Sequence, residues 1–333
     1  MKRFACVVGL LAFAAACGNS LLDAESSNSA LDQNPCVDAS TEAATTDDAG
    51  DASVEASRQP VDPAFPDPSY WENGTTCGTK PDVQLFKYSA STYIFRQSVC
   101  TNFEAPFHFL FFGKTRAMLL DTGTGHANLR AAVDTAINEY VAANGITAPY
   151  PLMVAHTHSH GDHVAGDRQF RDRPNTTIVG YRPTEVALAF NITDWPTGKA
   201  ELDLGERVLD VHAFPGHESA HIAVYDRQEQ LLFTGDTLYP GRLYIQSWPT
   251  FQASIHRLSE WVRNSRVPVK YILGNHIEMN STPGQDYPFA TTTHPNEHPL
   301  PLTTEQLFEL ETATQAMGAT PARQAHDHFI IFP

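Results

Sequence analysis

The residues best suited to chemistry lie in one short segment, residues 156–163, which reads His-Thr-His-Ser-His-Gly-Asp-His. The apolar run at residues 151–155 precedes it, and the length and composition of that run predict a buried strand. A short helical pattern at residues 164–170 follows. Imidazole and carboxylate groups together are suitable ligands for Zn²⁺, Fe²⁺ or Mn²⁺. The segment therefore predicts a metal site at the end of a strand.

Two histidine triplets overlap in this segment, and the adjacent pair Asp162 and His163 decides between them. The pattern His-x-His-x-Asp-His fits only His158, His160, Asp162 and His163. His156 then remains at the end of the strand. We expect it to pack there or to orient a ligand through a hydrogen bond.

Residues 157–163 resemble the signature of the metallo-β-lactamase superfamily, in its glyoxalase II-like and general hydrolase branches. Four further segments resemble motifs of that family, in the family's order. They are a strand with a structural Asp-Thr-Gly turn at Asp121, a Pro-Gly-His turn at His217, a strand ending in Gly-Asp at Asp236, and a strand ending at His276. The fold implied by this resemblance is α/β (α+β), a four-layer αββα sandwich.

The resemblance also implies a ligand set and a mechanism. His158, His160 and His217 would bind one metal, Asp162, His163 and His276 a second, and Asp236 would bridge the two. The expected cofactor is two Zn²⁺ per chain, with iron or manganese as alternatives. A shared water would be hydroxide at neutral pH and would attack a carbonyl of an ester, lactone, thioester or amide. Asp162 and Asp236 are the expected catalytic residues, with Asp162 also moving the proton.

The loop that follows Asp236 is expected to line a pocket for a small-molecule substrate through Tyr239, Arg242 and Tyr244. Arg242 would meet a substrate anion or else lie on the surface of the loop. His294 and His298 lie in a Pro-rich loop that could approach the same pocket. The glyoxalase II branch holds glutathione with basic residues late in the chain, and only Arg323 is basic after Lys270. Glutathione thioesters are therefore disfavoured as substrates.

Three other functions remain open at this stage. Some relatives in the same family bind a single iron and oxidise sulfur compounds, and metal content with oxygen uptake would separate that activity from hydrolysis. A β-lactam hydrolase is a second alternative. A binding protein with a relic site is the third, although a complete set of seven liganding side chains argues against it.

The first 17 residues resemble a bacterial lipoprotein signal peptide. Lys2 and Arg3 precede an apolar run, and the segment Ala-Ala-Ala-Cys ends at Cys17. We expect export and either lipidation at Cys17 or ordinary signal-peptidase cleavage nearby. The protein would then be anchored in the cell envelope, facing the periplasm or in the outer membrane.

Residues 18–69 contain eleven Asp or Glu and one basic residue, Arg58, so they carry −10 of the net charge of −16. Such a segment buries too little apolar surface to fold, and we expect a disordered tether. Because the negative charge is concentrated in that tether, it gives no information about the substrate. It does argue against a nucleic-acid partner, which requires a basic surface.

Residues 70–333 are long enough for one domain. Cys77 and Cys100 are a possible disulfide of an exported protein, in which case Cys36 is unpaired; Cys36 could also pair with one of them. The oligomeric state is left open. Strands are expected at residues 83–86, 93–95, 107–112, 117–120, 152–155, 177–179, 208–213, 222–225, 231–234, 269–273 and 329–332, and helices at 128–143, 184–190, 255–262 and 303–317.

Overall fold

The computed structural model of this protein describes residues 65–265 and 268–333. The predicted signal peptide, Cys17 and residues 18–64 of the predicted tether lie outside the described residues. Phe65 is buried, and its ring centroid lies 5.0 Å from that of Tyr88 and 5.1 Å from that of Tyr271. Residues 65–69 therefore belong to the folded domain, and the predicted boundary at residue 70 is too late.

The first sheet contains six strands in chain order. They are β1 (Val83–Lys87), β2 (Thr92–Gln97), β3 (Phe107–Phe112), β4 (Ala117–Leu120), β5 (Leu152–Ala155) and β6 (Thr176–Ile178). Strands β1 to β4 pair antiparallel, whereas β4, β5 and β6 are parallel. Helix α1 (Leu129–Ala143) makes the crossover that the parallel pair β4 and β5 requires. Val133 and Ile137 of α1 pack against Leu119 and Val154 of this sheet.

The second sheet contains five strands, and its last two are joined by a helical crossover. They are β7 (Lys199–Asp203), β8 (Val208–Ala213), β9 (Ile222–Asp226), β10 (Leu231–Gly235) and β12 (Tyr271–Gly274). Strands β10 and β12 are parallel and are connected through α4 (Trp248–Asn264). Helix α4 and helix α5 (Thr304–Met317) cover the outer face of this sheet with Phe251, Ile255 and Leu307.

The inner faces of the two sheets share one core. Phe109 and Phe111 of the first sheet pack against Phe233 of the second, with ring centroids 4.6 and 4.9 Å apart. Arg207 crosses between the sheets, because its guanidinium pairs with Asp226 and also donates to the carbonyl of Ser91. Helix, sheet, sheet and helices therefore form four layers, which confirms the expected αββα sandwich.

The smaller elements depart most from the prediction. A third sheet contains β11 (Arg242–Tyr244), β13 (Gln324–Ala325) and β14 (Ile330–Phe332), and of these only β14 was expected. The edge strand β7 was also missed, because most of its residues are exposed and it has no apolar run. Helix α4 begins well before residue 255, since Trp248 and Phe251 extend its buried face toward the N-terminus. Two short α-helices, α2 (Gly161–Val164) and α3 (Pro183–Phe190), and two 3₁₀ helices, Pro68–Tyr70 and Ala165–Gln169, complete the described domain.

Two further links fix the loops of the domain. Cys77 and Cys100 are joined by a disulfide. Arg96 is fully buried and donates to both carboxylate oxygens of Glu297 at 2.6 Å, which fixes the loop before α5 to strand β2. Within residues 65–265 and 268–333, no helix is long and apolar enough to cross a membrane.

Candidate metal centre

Four loops carry the predicted ligands to one end of the two sheets. The segment containing His158 and His160 follows β5, and His217 lies in the loop between β8 and β9. Asp236 directly follows β10, and His276 comes two residues after β12. Because β10 and β12 are parallel, their carboxyl ends are adjacent, which brings Asp236 and His276 together. The backbone N–H of Ile222 donates to the carbonyl of Thr157 at 2.8 Å and joins the loop after β5 to the second sheet.

Three histidine nitrogens form a triangle. His158 Nε2 lies 2.9 Å from His160 Nδ1, and His217 Nε2 lies 3.1 and 3.0 Å from these two atoms. A zinc ion held at 2.0–2.1 Å by three tetrahedral nitrogens would separate them by roughly 3.3 Å. The triangle therefore has a size that suits one such ion.

A second group lies beside the triangle and contains Asp162, His163, Asp236 and His276. His163 Nε2 lies 3.3 Å from Asp162 Oδ2 and 3.3 Å from Asp236 Oδ2. His276 Nε2 lies 3.2 Å from Asp162 Oδ2 and 3.5 Å from Asp236 Oδ1. Asp236 Oδ2 is also only 3.7 Å from His158 Nε2 and 3.8 Å from His217 Nε2. Asp236 is thus placed between the two groups, as a bridging ligand would be.

The hydrogen bonds behind the ligands show which nitrogen lone pairs face inward. His217 Nδ1 donates to the carbonyl of Tyr244 at 2.7 Å, and His276 Nδ1 donates to the carbonyl of Glu104 at 2.8 Å. A carbonyl only accepts, so the Nε2 atom of each ring faces the other donors, and on His217, whose pKa is lowered by burial, that atom carries a lone pair. Asp236 Oδ1 is buried and has no hydrogen-bond partner. Inward lone pairs beside an unpartnered carboxylate oxygen repel one another unless a cation lies between them, so these residues fit bound metal ions.

Burial and mutual charge also shift the pKa values of these groups. Burial lowers the pKa of His158 well below its ordinary value, and the neighbouring His163 adds to this effect, so His158 is neutral. Burial alone would lower the pKa of His276, but the carboxylates of Asp236 and Asp162 outweigh it and raise the pKa to about 10. Burial would raise the pKa of Asp236, but His276 and His163 outweigh it and hold the pKa below its ordinary value. The carboxylates are therefore ionised and available as ligands.

Asp121 supports the centre from behind. Its fully buried carboxylate accepts from the backbone N–H of Thr157 at 2.8 Å, from Thr157 Oγ1 at 2.9 Å and from Asn275 Nδ2 at 2.7 Å. Its Oδ2 also lies 3.3 Å from His163 Nδ1. The turn expected at Asp121 therefore connects the loop after β5 with the loop after β12 and orients His163 as well.

Two histidines near the centre were missed by sequence reasoning. His221 is fully buried, its ring stacks on His158 at 5.1 Å, and its Nε2 accepts from the backbone N–H of Asp236 at 3.3 Å. Its position four residues after His217 was the available signal. His108 lies on β3, where burial, with His163 and His276, lowers its pKa to about 3. Gly123 has a φ of +78°, and a Cβ there would lie 2.8 Å from the His108 ring, so the turn requires glycine.

The structure does not place Arg242 where a substrate anion would meet it. Its guanidinium is buried and donates to Glu278 at 2.9 Å, to Asp286 at 3.1 Å and to the carbonyl of Tyr287 at 2.8 Å, so it meets internal acids. Tyr239 is also buried, and its hydroxyl donates to the carbonyl of Arg242, which leaves no free group for a substrate. The sequence shows the acids but not their approach to Arg242.

The remaining candidates have other partners. Tyr244 is half-buried and contributes its carbonyl to His217, while its ring packs on Phe332 at 5.0 Å. His156 is buried and contacts Asp167 at 2.8 Å but no proposed ligand, so of its two expected roles the structure shows packing at the end of the strand. His294 stacks on Tyr287, and His298 Nε2 lies 2.8 Å from His328 Nδ1. The partners of His294 and His298 are therefore not among the seven donors.

A sequence model described as "Metallo-beta-lactamase superfamily" matches residues 106–276, half of the chain, and this span contains all seven donors. The chain belongs to the metallo-beta-lactamase superfamily. This confirms the resemblance seen in the sequence. The family's sandwich explains why its motifs, although far apart in the chain, meet at one end of the two sheets.

Individual relatives match over shorter spans. A hydroxyacylglutathione hydrolase of Rhizobium meliloti is 35% identical over 106 residues, which is 31% of this chain and 41% of the relative. The acyl-coenzyme A thioesterase MBLAC2 of Gallus gallus is 26% identical over 211 residues, which is 50% of this chain and 70% of the relative. A solved metallo-beta-lactamase of Pontibacter korlensis is 17% identical, with a TM-score of 0.46, over 70% of this chain and 99% of its own. The chain thus spans less than half of the Rhizobium meliloti relative.

Proposed function

We propose that this protein is a zinc-dependent hydrolase with two metal ions per chain that cleaves a carbonyl substrate: an ester, lactone, thioester or amide. The observation that carries this proposal is the position of Asp236 between the two groups of donors. His158, His160 and His217 would hold one ion, and Asp162, His163 and His276 the other. When bound, such ions would supply Lewis acidity toward a carbonyl oxygen and would lower the pKa of water.

Other groups of the centre would orient the ligands and move a proton. Tyr244 and Glu104 hold His217 and His276 in place through backbone carbonyls, so the geometry does not need to form during the reaction. The side chain of Asp162 is 20% exposed, whereas that of Asp236 is 9% exposed. Asp162 therefore has access to solvent and can accept a proton and return it to the leaving group. Asp236 has the fixed, buried position of a bridging ligand.

Two relatives are named for thioester substrates, and this supports a carbonyl substrate for this chain. Because these matches cover only parts of the proteins, they do not indicate which leaving group the substrate of this chain carries. Arg242 is occupied by Glu278 and Asp286, which removes the one cation expected to meet an anionic substrate. We therefore place esters and lactones beside thioesters in the proposal.

The test is elemental analysis of the purified full chain together with a substrate panel. The panel contains an ester, a lactone, a thioester, a β-lactam and a phosphodiester. Two zinc ions and turnover of a carbonyl substrate would support the proposal, and turnover of the β-lactam alone would make the protein a β-lactam hydrolase. One iron per chain with oxygen uptake and no hydrolysis would instead indicate the sulfur-compound oxidoreductase.

Two histidine variants provide the matched comparison. His158→Ala removes one donor of the triangle and should abolish both metal binding at that position and turnover. His256→Ala removes an imidazole that is 55% exposed on α4, contacts Glu311 at 2.7 Å and belongs to neither donor group. It should retain metal and turnover. Turnover that survives in His158→Ala would contradict a role for the metal.

We also propose that the protein is exported and anchored to a membrane by a lipid at Cys17. The residues that precede Cys17 support this proposal, and so does the disulfide between Cys77 and Cys100, because such bonds persist in oxidising compartments. Cell fractionation of the full chain should place it with membranes, and Cys17→Ala should release it or block its processing. A cytoplasmic location of the unaltered chain would contradict export.

A further inference from the structure

A groove of about 450 Å³ lies beside the loop that carries His217. We propose that this groove binds the uncharged, apolar acyl group of the substrate. The inference rests on the proposed hydrolase function and specifies the substrate class. The residues that line the groove include Pro183, Trp195, Pro196, Pro215, Ser219 and Thr250. Its volume lies in the range of small-molecule sites, about 300–1,000 Å³.

The groove and the histidine triangle share one loop. Pro215, Gly216, Glu218 and Ser219 all line the groove, and His217 lies between them in the chain. The carbonyl of Gly216 accepts from the backbone N–H groups of residues 246 and 247, at 3.0 and 2.9 Å, which fixes this loop to the start of α4. None of the seven donors lines the groove itself, so the link between the groove and the triangle is the backbone of this loop.

The walls of the groove are apolar and rigid. Three prolines and the half-buried ring of Trp195 contribute the apolar surface of the groove, and proline rings lose little conformational entropy when a ligand binds. Thr250, in the first turn of α4, also lines the groove, and its Oγ1 lies 2.8 Å from Ser247 Oγ. These walls suit a chain of methylene groups or a ring.

The charges around the groove exclude an anionic ligand. Of the described residues that line it, none is Lys or Arg. Its one carboxylate, that of Glu218, accepts from Ser219 Oγ at 2.6 Å and from the backbone N–H of Ala220 at 2.8 Å. Arg257 approaches Pro196 but donates to its carbonyl at 3.1 Å and to Ser254 Oγ at 2.9 Å. A phosphate or a glutathione carboxylate would find no free cation here, whereas an acyl chain needs none.

The experiment compares a long and a short acyl group on the same leaving group. The zinc-loaded full chain is assayed with p-nitrophenyl octanoate and p-nitrophenyl acetate, and the ratio of their kcat/KM values is measured. Thr250→Phe should fill the groove, and Trp195→Ala should remove a wall. Each variant should lower the octanoyl-to-acetyl ratio at least tenfold. Leu188→Ala, which changes a side chain of α3 that is 84% exposed, should keep the ratio of the unaltered protein.

A binding measurement separates the groove from the reaction. Octanamide should bind more tightly than acetamide by calorimetry, and Thr250→Phe should weaken octanamide binding at least fivefold. A ratio and an octanamide affinity within twofold of the unaltered values in both groove variants would overturn the inference. If the unaltered protein hydrolyses no ester but loses octanamide binding in Thr250→Phe, the hydrolase proposal fails and the groove remains an acyl-binding site.

Discussion

Asp121→Asn tests how the centre is held, because Asp121 contacts the ligand loops but belongs to neither donor group. The substitution keeps the size of the side chain and replaces one acceptor oxygen with an NH₂ donor. If the new NH₂ takes the place of Oδ1, it faces the backbone N–H of Thr157, which donates to that oxygen at 2.8 Å. If it takes the place of Oδ2, it faces the hydroxyl of Thr157, Asn275 Nδ2 and His163 Nδ1.

The first arrangement disrupts fewer contacts. It leaves the buried backbone N–H of Thr157 without a partner, which lowers the free energy of unfolding by about 1–3 kcal/mol. The hydrogen bonds that remain also lose the charge of the carboxylate, and charge-assisted bonds are roughly twice as strong as neutral ones. We expect the free energy of unfolding to fall by about 3 kcal/mol. His163 loses the charged partner of its Nδ1, so metal affinity should fall by about 10–100-fold.

The assay is zinc competition with a chromophoric chelator, beside equilibrium unfolding in urea. The matched control is Asp226→Asn, which changes another fully buried aspartate, one that pairs with Arg207 between the sheets. Breaking that ion pair should cost about 3–5 kcal/mol of stability but leave metal affinity unchanged. Zinc affinity of Asp121→Asn within twofold of the unaltered protein would refute the reasoning, and so would an equal loss of affinity in Asp226→Asn.

Three further predictions concern the bridge, a buried histidine and the disulfide. Asp236→Ala should leave at most one zinc per chain by elemental analysis. Turnover should fall more than about 100-fold, because losing only a residue that supports a ligand already costs up to about 100-fold. Full zinc occupancy in this variant would argue against bridging. Burial, with Lys199, lowers the pKa of His212 from 6.5 to about 4, so stability that is complete above pH 6.5 is lost toward pH 4. Between pH 7 and 5 this loss is about 2 kcal/mol, and His212→Leu should remove it in urea titrations; an unchanged pH dependence would count against this assignment. Replacing Cys77 and Cys100 by serine opens a loop of sequence separation 23 and should cost about 3 kcal/mol in the same titrations, whereas an unchanged unfolding midpoint would contradict it.

The sequence predicted the layers of the fold and the position of the centre, because both depend on local patterns. Strand β5 was visible as an apolar run, and helix α5 was expected at residues 303–317; in the structure, a capping box at Thr303 begins this helix. Strands β7 and β13 were missed because an exposed edge strand and a two-residue strand have no apolar period. Their positions depend on pairing with neighbouring strands, which a local pattern does not contain.

The substrate residues show a second limit of the sequence. Arg242 follows Asp236 closely in the chain, and that proximity suggested a place in the pocket. The tertiary structure brings Glu278 and Asp286 to its guanidinium, and burial then favours an internal ion pair over contact with a ligand. Conversely, Trp195 and Thr250 are distant from every motif in the sequence, and only the fold brings them to the groove beside His217.

The sequence by itself determined which side chains can act as ligands, because imidazole and carboxylate chemistry belongs to the residue type and their spacing follows the strands. Only the tertiary structure decided which ring nitrogen of His217 and of His276 faces inward. That choice depends on partners without a sequence signature, the backbone carbonyls of Tyr244 and Glu104. Every residue has a carbonyl, so which one meets a histidine is fixed by the path of the chain and not by the identity of the residue.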